Sequence, residues 1–193
     1  MKYLPLAGTW RAVEDRWCRP GSPFDQIAAQ HQLERVGREL RFWSTALSGT
    51  RFCGSKHLAW QFGGEQVVDY TEDEDMGDEL IIIAHSHGGQ VAAYALANDA
   101  TCDTLITVDT PIRRDMEEVW RAGTPNRRRH LHLYGTGWGS RMRIFGQRRF
   151  KREMPWATKN LRIDGGHSGI LADAEHRDQW HEILSWATDA EAA

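Results

Sequence analysis

Ser86 lies in the run Ala84-His85-Ser86-His87-Gly88-Gly89, between a stretch of branched apolar residues and a stretch of small ones. A serine hydroxyl is a weak nucleophile until a base takes its proton and a third group holds that base in place. The sequence offers both. His167 stands in Asp164-Gly165-Gly166-His167-Ser168-Gly169-Ile170-Leu171, a glycine-rich loop near the C-terminus. Asp109 stands in Thr107-Val108-Asp109-Thr110-Pro111, directly after an apolar run. The loop Tyr134-Gly135-Thr136-Gly137-Trp138-Gly139 holds no carboxylate. Asp109 is therefore the favoured acid, with Asp115 and Asp164 as alternatives. Ser86, His167 and Asp109 together have the chemistry of acyl transfer: attack by the serine, proton shuttling by the imidazole, orientation of the imidazole by a carboxylate. His85 and His87 flank the serine and are expected to pack or to line a pocket wall. His130 and His132 alternate on an apolar run and read as strand residues.

That chemistry needs a serine held clear of the backbone. The residues around Ser86 supply the means. Glu79 to His85 includes Leu80-Ile81-Ile82-Ile83-Ala84, continuous and apolar, the pattern of a strand buried on both faces. Gly88 to Asn98 follows as a helix of small residues. Strand, serine, helix is the order of a nucleophile elbow, usually written G-x-S-x-G, here with Ala84 in the first position. Only small residues two positions either side of the serine avoid clashing with so tight a turn. The helix N-terminus favours negative charge developing beside it, and the His87 N–H is placed to donate to an oxyanion.

Further elements follow from the same reading. Tyr3 to Leu6, Leu40 to Trp43, Leu105 to Val108, His130 to Tyr134 and Asn160 to Ile163 read as strands. Phe24 to Gly37, Arg114 to Ala122 and Ile170 to Thr188 read as helices, the last with Trp180, Ile183, Leu184 and Trp186 as apolar contacts. Strands alternating with helices imply a mostly parallel sheet covered on both faces. With right-handed crossovers this is a doubly wound α/β domain of about six strands.

Composition agrees with one such domain. The chain has 193 residues, 40% hydrophobic and 26% charged, which excludes a disordered or collagen-like chain. No apolar run approaches the roughly 20 residues of a membrane span. The first residues lack the pattern of a signal peptide, so a cytoplasmic protein is expected. Cys18, Cys53 and Cys102 have no zinc-site spacing and read as reduced thiols, with a Cys18–Cys53 bridge as the alternative. The net charge of -3 conceals a basic segment: residues 113–152 carry 12 basic and 3 acidic side chains. It includes Arg127-Arg128-Arg129 and Arg148-Arg149-Phe150-Lys151-Arg152. It reads as a solvated face paired with the acidic stretch Glu72 to Glu79, or as a patch for phosphate-bearing ligands. No nucleic-acid-binding motif accompanies it, so no specific nucleic acid partner is expected.

Four segments carry a resemblance: Leu6-Ala7-Gly8-Thr9-Trp10, Ala84 to Gly89, Val108 to Pro111, and Gly166 to Leu171. With them the sequence resembles the α/β-hydrolase superfamily, and within it small bacterial lipases and esterases without a large cap. The resemblance implies a minimal α/β-hydrolase fold over residues 1–193 and a Ser86–His167–Asp109 triad. It implies an oxyanion hole from the N–H groups of His87 and Thr9, with Trp10 as the alternative second donor. Trp10 and Trp138 would wall the acyl site, as would Trp17. Two departures stand out: Ala7 replaces the family's usual histidine, and the usual acid position is empty. Asp109 stands where some lipases carry the acid one strand earlier. Segments 110–127 and 135–157 would form a small lid or rim, bringing arginines to the entrance. That would favour an anionic ester or peripheral contact with an anionic membrane.

The expected function is hydrolysis of a carboxylic ester through an acyl-enzyme, with no metal or cofactor. Two alternatives stand beside it. One is an acyltransferase or thioesterase with the same triad. The other is a non-catalytic α/β module that binds through its arginines.

Overall fold

The computed structural model describes residues 1–6, 17, 20–37, 56–73, 79–112, 116–136, 153–166, 169–172 and 174–189. In chain order the elements are β1 (Lys2–Leu6), α1 (Pro23–Gln30), β2 (Glu34–Arg35), α2 (Lys56–Asp73), β3 (Leu80–His85) and α3 (Gly88–Ala97). There follow β4 (Cys102–Val108), α4 (Glu117–Ala122), β5 (Arg127–Gly135), β6 (Lys159–Ile163), α5 (Gly169–Ala172), a 3-10 turn (Ala174–His176) and α6 (Arg177–Thr188).

The six strands form one sheet in the order β2-β1-β3-β4-β5-β6, and every pairing is parallel. The fold is the expected α/β class. Side chains alternate between two apolar layers, as the pleat requires. Leu80, Ile82 and Ala84 of β3 meet Val91, Ala92, Ala95 and Leu96 of α3 on one face. Ile81 and Ile83 meet a second layer, built from Phe24, Ile27 and Ala28 of α1 and Trp180, Ile183 and Leu184 of α6. β3 is buried along its whole length, which accounts for its unbroken apolar run. No helix among the described residues is long and apolar enough to cross a membrane.

Several expectations need correcting. The helix expected over Phe24 to Gly37 stops at Gln30. Its start is conventional: Ser22 Oγ accepts the Asp25 N–H at 3.0 Å, with Pro23 in the first turn. Its end is a Schellman motif, with Leu33 N–H bonded to Ala28 O and Gln32 N–H to Ala29 O, both at 3.0 Å. Gln32 takes the left-handed conformation, φ +57°, where sequence reading looks for glycine. Beyond it Glu34 and Val36 bond to Met1 and Tyr3 carbonyls and form the sheet edge. The strand expected at Leu40 to Trp43 lies outside the described residues, as do Cys18 and Cys53. Cys102 is a buried free thiol, and burial pushes its pKa up to about 12.

Helix α2 had no expectation attached to it. Its apolar periodicity is weak and Gly63-Gly64 interrupts it. The interruption has a use: a Cβ on Gly64 would come within 2.4 Å of Tyr94 Cδ1, so the two helices pack with backbone close to side chain. The helix expected over Ile170 to Thr188 is three pieces, α5, the 3-10 turn and α6.

Candidate functional site

In a parallel sheet every strand ends on the same edge. Ser86 and Asp109 are the residues immediately after β3 and β4. Those strands are neighbours, with His85 paired to Val108. One strand spacing, about 5 Å, therefore separates the two backbones. The sheet order adds a second constraint. From β1 the chain turns to β2 on one side and β3 on the other. Such a reversal opens a crevice at the carboxyl ends of the flanking strands, the usual ligand position in open α/β sheets. Ser86 stands at that crevice.

Ser86 has φ +53°, a left-handed conformation that costs a side-chain-bearing residue energy and persists only where its surroundings enforce it. The enforcement is visible. Its N–H donates to Val108 O at 2.8 Å, and its carbonyl accepts the Gly89 N–H at 3.2 Å. The residue is 4% exposed. Helix α3 begins two residues later, with His87 as its N-cap, so its N-terminal amides sit at the same edge as the serine.

Asp109 has φ +47° and is fully buried. Its N–H donates to Leu133 O at 2.7 Å, and its Oδ1 accepts the Gly135 N–H at 3.0 Å. Two adjacent strand ends thus carry left-handed, non-glycine residues, one a serine and one a carboxylate. Asp164, the alternative acid, follows β6 at the far side of the sheet. It is exposed, accepts a bond from Thr136 Oγ1 at 2.9 Å and lies 3.8 Å from Arg162. Asp115 lies outside the described residues.

His167, Thr9, Trp10 and Trp138 also lie outside the described residues. On either side of positions 167 and 168 the chain is described: Gly166 lies three residues after β6, and the Gly169 N–H returns to Gly166 O at 3.1 Å. This loop therefore leaves the sheet on the edge that carries Ser86 and Asp109, three strands from β3. His85 is buried, with the Trp17 ring edge-on at 6.3 Å between centroids, and His87 is buried too. Both fit the packing role expected of them.

The arginines do not fit theirs. Arg127 and Arg129 open β5, and Arg127 pairs in register with Cys102, the first residue of β4. They stand at the edge of the sheet opposite Ser86, and both are buried. Arg127 Nη1 bonds Gly123 O at 2.9 Å. Arg129 bonds Asp103 at 2.7 Å and the carbonyls of Trp186, Ala187 and Asp189. They belong to the framework, neither to a solvated face paired with Glu72 to Glu79 nor to the entrance of the site. Residues 148–152 lie outside the described residues. Between Ser86's edge and Arg127's, the stretch 110–127 is a crossover that contains α4.

Sequence reading missed three contacts at the site. Gln90 is fully buried, and its Nε2 donates to Pro111 O at 2.6 Å. Gly89 faces Thr110 so closely that a Cβ would lie 2.3 Å from Thr110 Oγ1. Thr107 Oγ1 lies 2.9 Å from both His130 Nε2 and His132 Nδ1. The second glycine of Gly88-Gly89 was a signal for close approach; nothing local marked the other two.

No family model matches the sequence, and no curated protein matches it. Among solved structures, a predicted CIB-like hydrolase from Thermoplasma acidophilum superposes with a TM-score of 0.60 at 12% identity. The match covers 96% of this chain and 84% of that one. At that identity the likeness shows a shared architecture alone: a parallel α/β sheet with the same arrangement of strands and helices.

Proposed function

We propose that the protein is a serine hydrolase that cleaves a carboxylic ester, with Ser86 as nucleophile, His167 as base and Asp109 as the acid that orients it. The observation that carries this reading is the left-handed Ser86 between β3 and α3. Strain of that kind in a non-glycine residue is costly; at Gln32 the helix-ending Schellman motif accounts for it, whereas Ser86 lies between a strand and the start of a helix, the place of a nucleophile elbow. The like conformation of Asp109 one strand away supports its assignment as the acid.

In the reaction His167 takes the Ser86 proton and the hydroxyl oxygen attacks the ester carbonyl. The His87 and Thr9 N–H groups receive the oxyanion. The intermediate collapses, His167 returns the proton to the leaving alcohol, and an acyl-serine remains. Water, deprotonated by His167, then releases the acid. Trp10 and Trp138 wall the acyl site. An acyltransferase or thioesterase would share every step except the acceptor or the leaving group. The binding-module alternative could not use Arg127 and Arg129, which are buried and bonded within the framework.

The test is hydrolysis of p-nitrophenyl esters from acetyl to palmitoyl. Wild-type turnover is expected, and Ser86→Ala should lower kcat by at least about 10³-fold. Equal turnover by both proteins would refute the assignment. Product analysis with an added alcohol separates transfer from hydrolysis.

A further inference from the structure

We infer that Gln90 is a positioning residue for this site: its buried side-chain amide, bonded to the Pro111 carbonyl, fixes the turn that carries Asp109 against the turn that carries Ser86. The inference rests on the hydrolase reading and goes beyond it, since Gln90 touches neither reacting group.

Gln90 lies in the first turn of α3, four residues after Ser86, and Pro111 lies two residues after Asp109. Their bond, at 2.6 Å, links the segments that follow two different strands. The orientation of the amide is not arbitrary. A proline carbonyl can only accept, so the NH₂ end must face it. Two further contacts run in parallel with this bond. Ser86 N–H reaches Val108 O at 2.8 Å, and the Thr110 side chain rests on Gly89. Residues 108, 110 and 111 are thus each fastened to the elbow at 86, 89 and 90. Asp109 stands in the middle of that seam.

A role in stability alone explains Gln90 poorly. Its Oε1 and the neighbouring Thr110 Oγ1 are buried with no hydrogen-bond partner among the described residues. An unsatisfied buried acceptor works against folding; an apolar side chain of equal volume would remove it and strand the Pro111 carbonyl instead, so the glutamine gains little stability over such a residue. What the glutamine alone provides is one directed bond to the carbonyl beyond Asp109. Without it the seam between the Asp109 turn and the Ser86 turn loses one of its three ties, and small misplacements of catalytic groups are expensive.

The experiment compares wild type, Gln90→Met and Gln90→Glu. Each is treated with a fluorophosphonate, which phosphonylates an activated serine with loss of fluoride, and each is assayed on a p-nitrophenyl ester across pH. Met matches the length of Gln and cannot donate. Its phosphonylation rate and kcat, per folded molecule, should fall on the order of tenfold to a hundredfold, with KM nearly unchanged and thermal stability close to wild type. The acid limb of its pH profile should move down, because a displaced carboxylate no longer favours the protonated imidazole. Gln90→Glu should work only in the window where its buried carboxyl is still protonated and donates to Pro111 O while His167 is already neutral; burial raises the carboxyl's pKa and opens that window. It should lose activity on ionisation, through an inflection that wild type lacks, and this readout stands even if the Met variant fails to fold. Wild-type rate and pH profile in the Met variant, or a Glu variant without the extra inflection, would overturn the inference alone. A wild-type protein that never labels at Ser86 would overturn the hydrolase reading, and this inference with it.

Discussion

At the scale of single residues, the site consists of unfavourable conformations held by specific bonds. Ser86 and Asp109 both occupy the left-handed region, and each is tied to the next strand by its own N–H, to Val108 O and Leu133 O respectively. Asp109 adds a side-chain bond to the Gly135 N–H. Asp109→Asn keeps an oxygen for that N–H and removes only the charge. The variant should therefore fold with a melting temperature close to wild type, while kcat falls by about 10³- to 10⁴-fold through loss of the imidazole's orientation and charge partner. Unchanged ester turnover in that variant would move the acid elsewhere. The places of Ser86 and Asp109 at strand ends were both legible from sequence: each directly follows an apolar run that ends in a polar or turn-forming segment. Gln90 was not. Its spacing from Pro111 carries no periodic signal, and only the folded chain brings the two together.

At the scale of elements, β4 and β5 meet through a buried polar cluster beneath α4. Thr107 bridges His130 and His132, and the His130 ring stacks on Trp120 at 5.6 Å. His130 is 1% exposed. Its pKa is held well below the ordinary 6.5 by burial first, then by the Arg127 charge and by His132. The sign of the linkage follows. Above pH 6.5 the residue is neutral both folded and unfolded. As pH falls below 6.5 the unfolded chain takes up a proton that the folded chain refuses, so stability declines. Urea midpoints measured from pH 8 to pH 5 should fall on the acid side, and His130→Phe, which keeps the stack on Trp120, should flatten that dependence. An identical slope in the variant would assign the acid sensitivity to other groups. Sequence reading placed both histidines on a strand from their alternation. It did not reach their shared hydroxyl, because cross-strand register is set by tertiary pairing.

At the scale of the whole molecule, the sheet separates the proposed site from scaffolding. The carboxyl ends of the strands carry Ser86, Asp109 and the start of the His167 loop. The amino ends carry a buried charge cluster. There Arg129, 3% exposed, pairs with Asp103 and satisfies three carbonyls at and just beyond the end of α6. The last turn of a helix presents unsatisfied carbonyls, and a guanidinium with five donors suits them. Arg129→Ala leaves Asp103 and those carbonyls without it and should cost about 3–5 kcal/mol in a denaturant titration. Because it lies at the opposite edge from Ser86, the folded fraction should keep wild-type kcat/KM. A selective loss of activity at full stability would contradict this division of the sheet. The arginine run had read as surface because charged residues usually are, and Arg128 is exposed; the burial of Arg129 depends on α6 folding back onto β5.

What the sequence determined by itself is what neighbours along the chain decide. The unbroken Leu80–Ala84 run pointed to a strand covered on both faces. A serine between it and a helix opened by two glycines pointed to a tight strand-to-helix turn, and alternating elements implied a parallel α/β sheet. The tertiary structure alone decided what depends on distant partners. The order β2-β1-β3-β4-β5-β6 puts the reversal of the sheet beside Ser86, register sets Asp109 one strand over, and close packing turns Gln90 and Arg129 into buried bonds. Local periodicity records which face of an element is apolar. It does not record which element will cover that face.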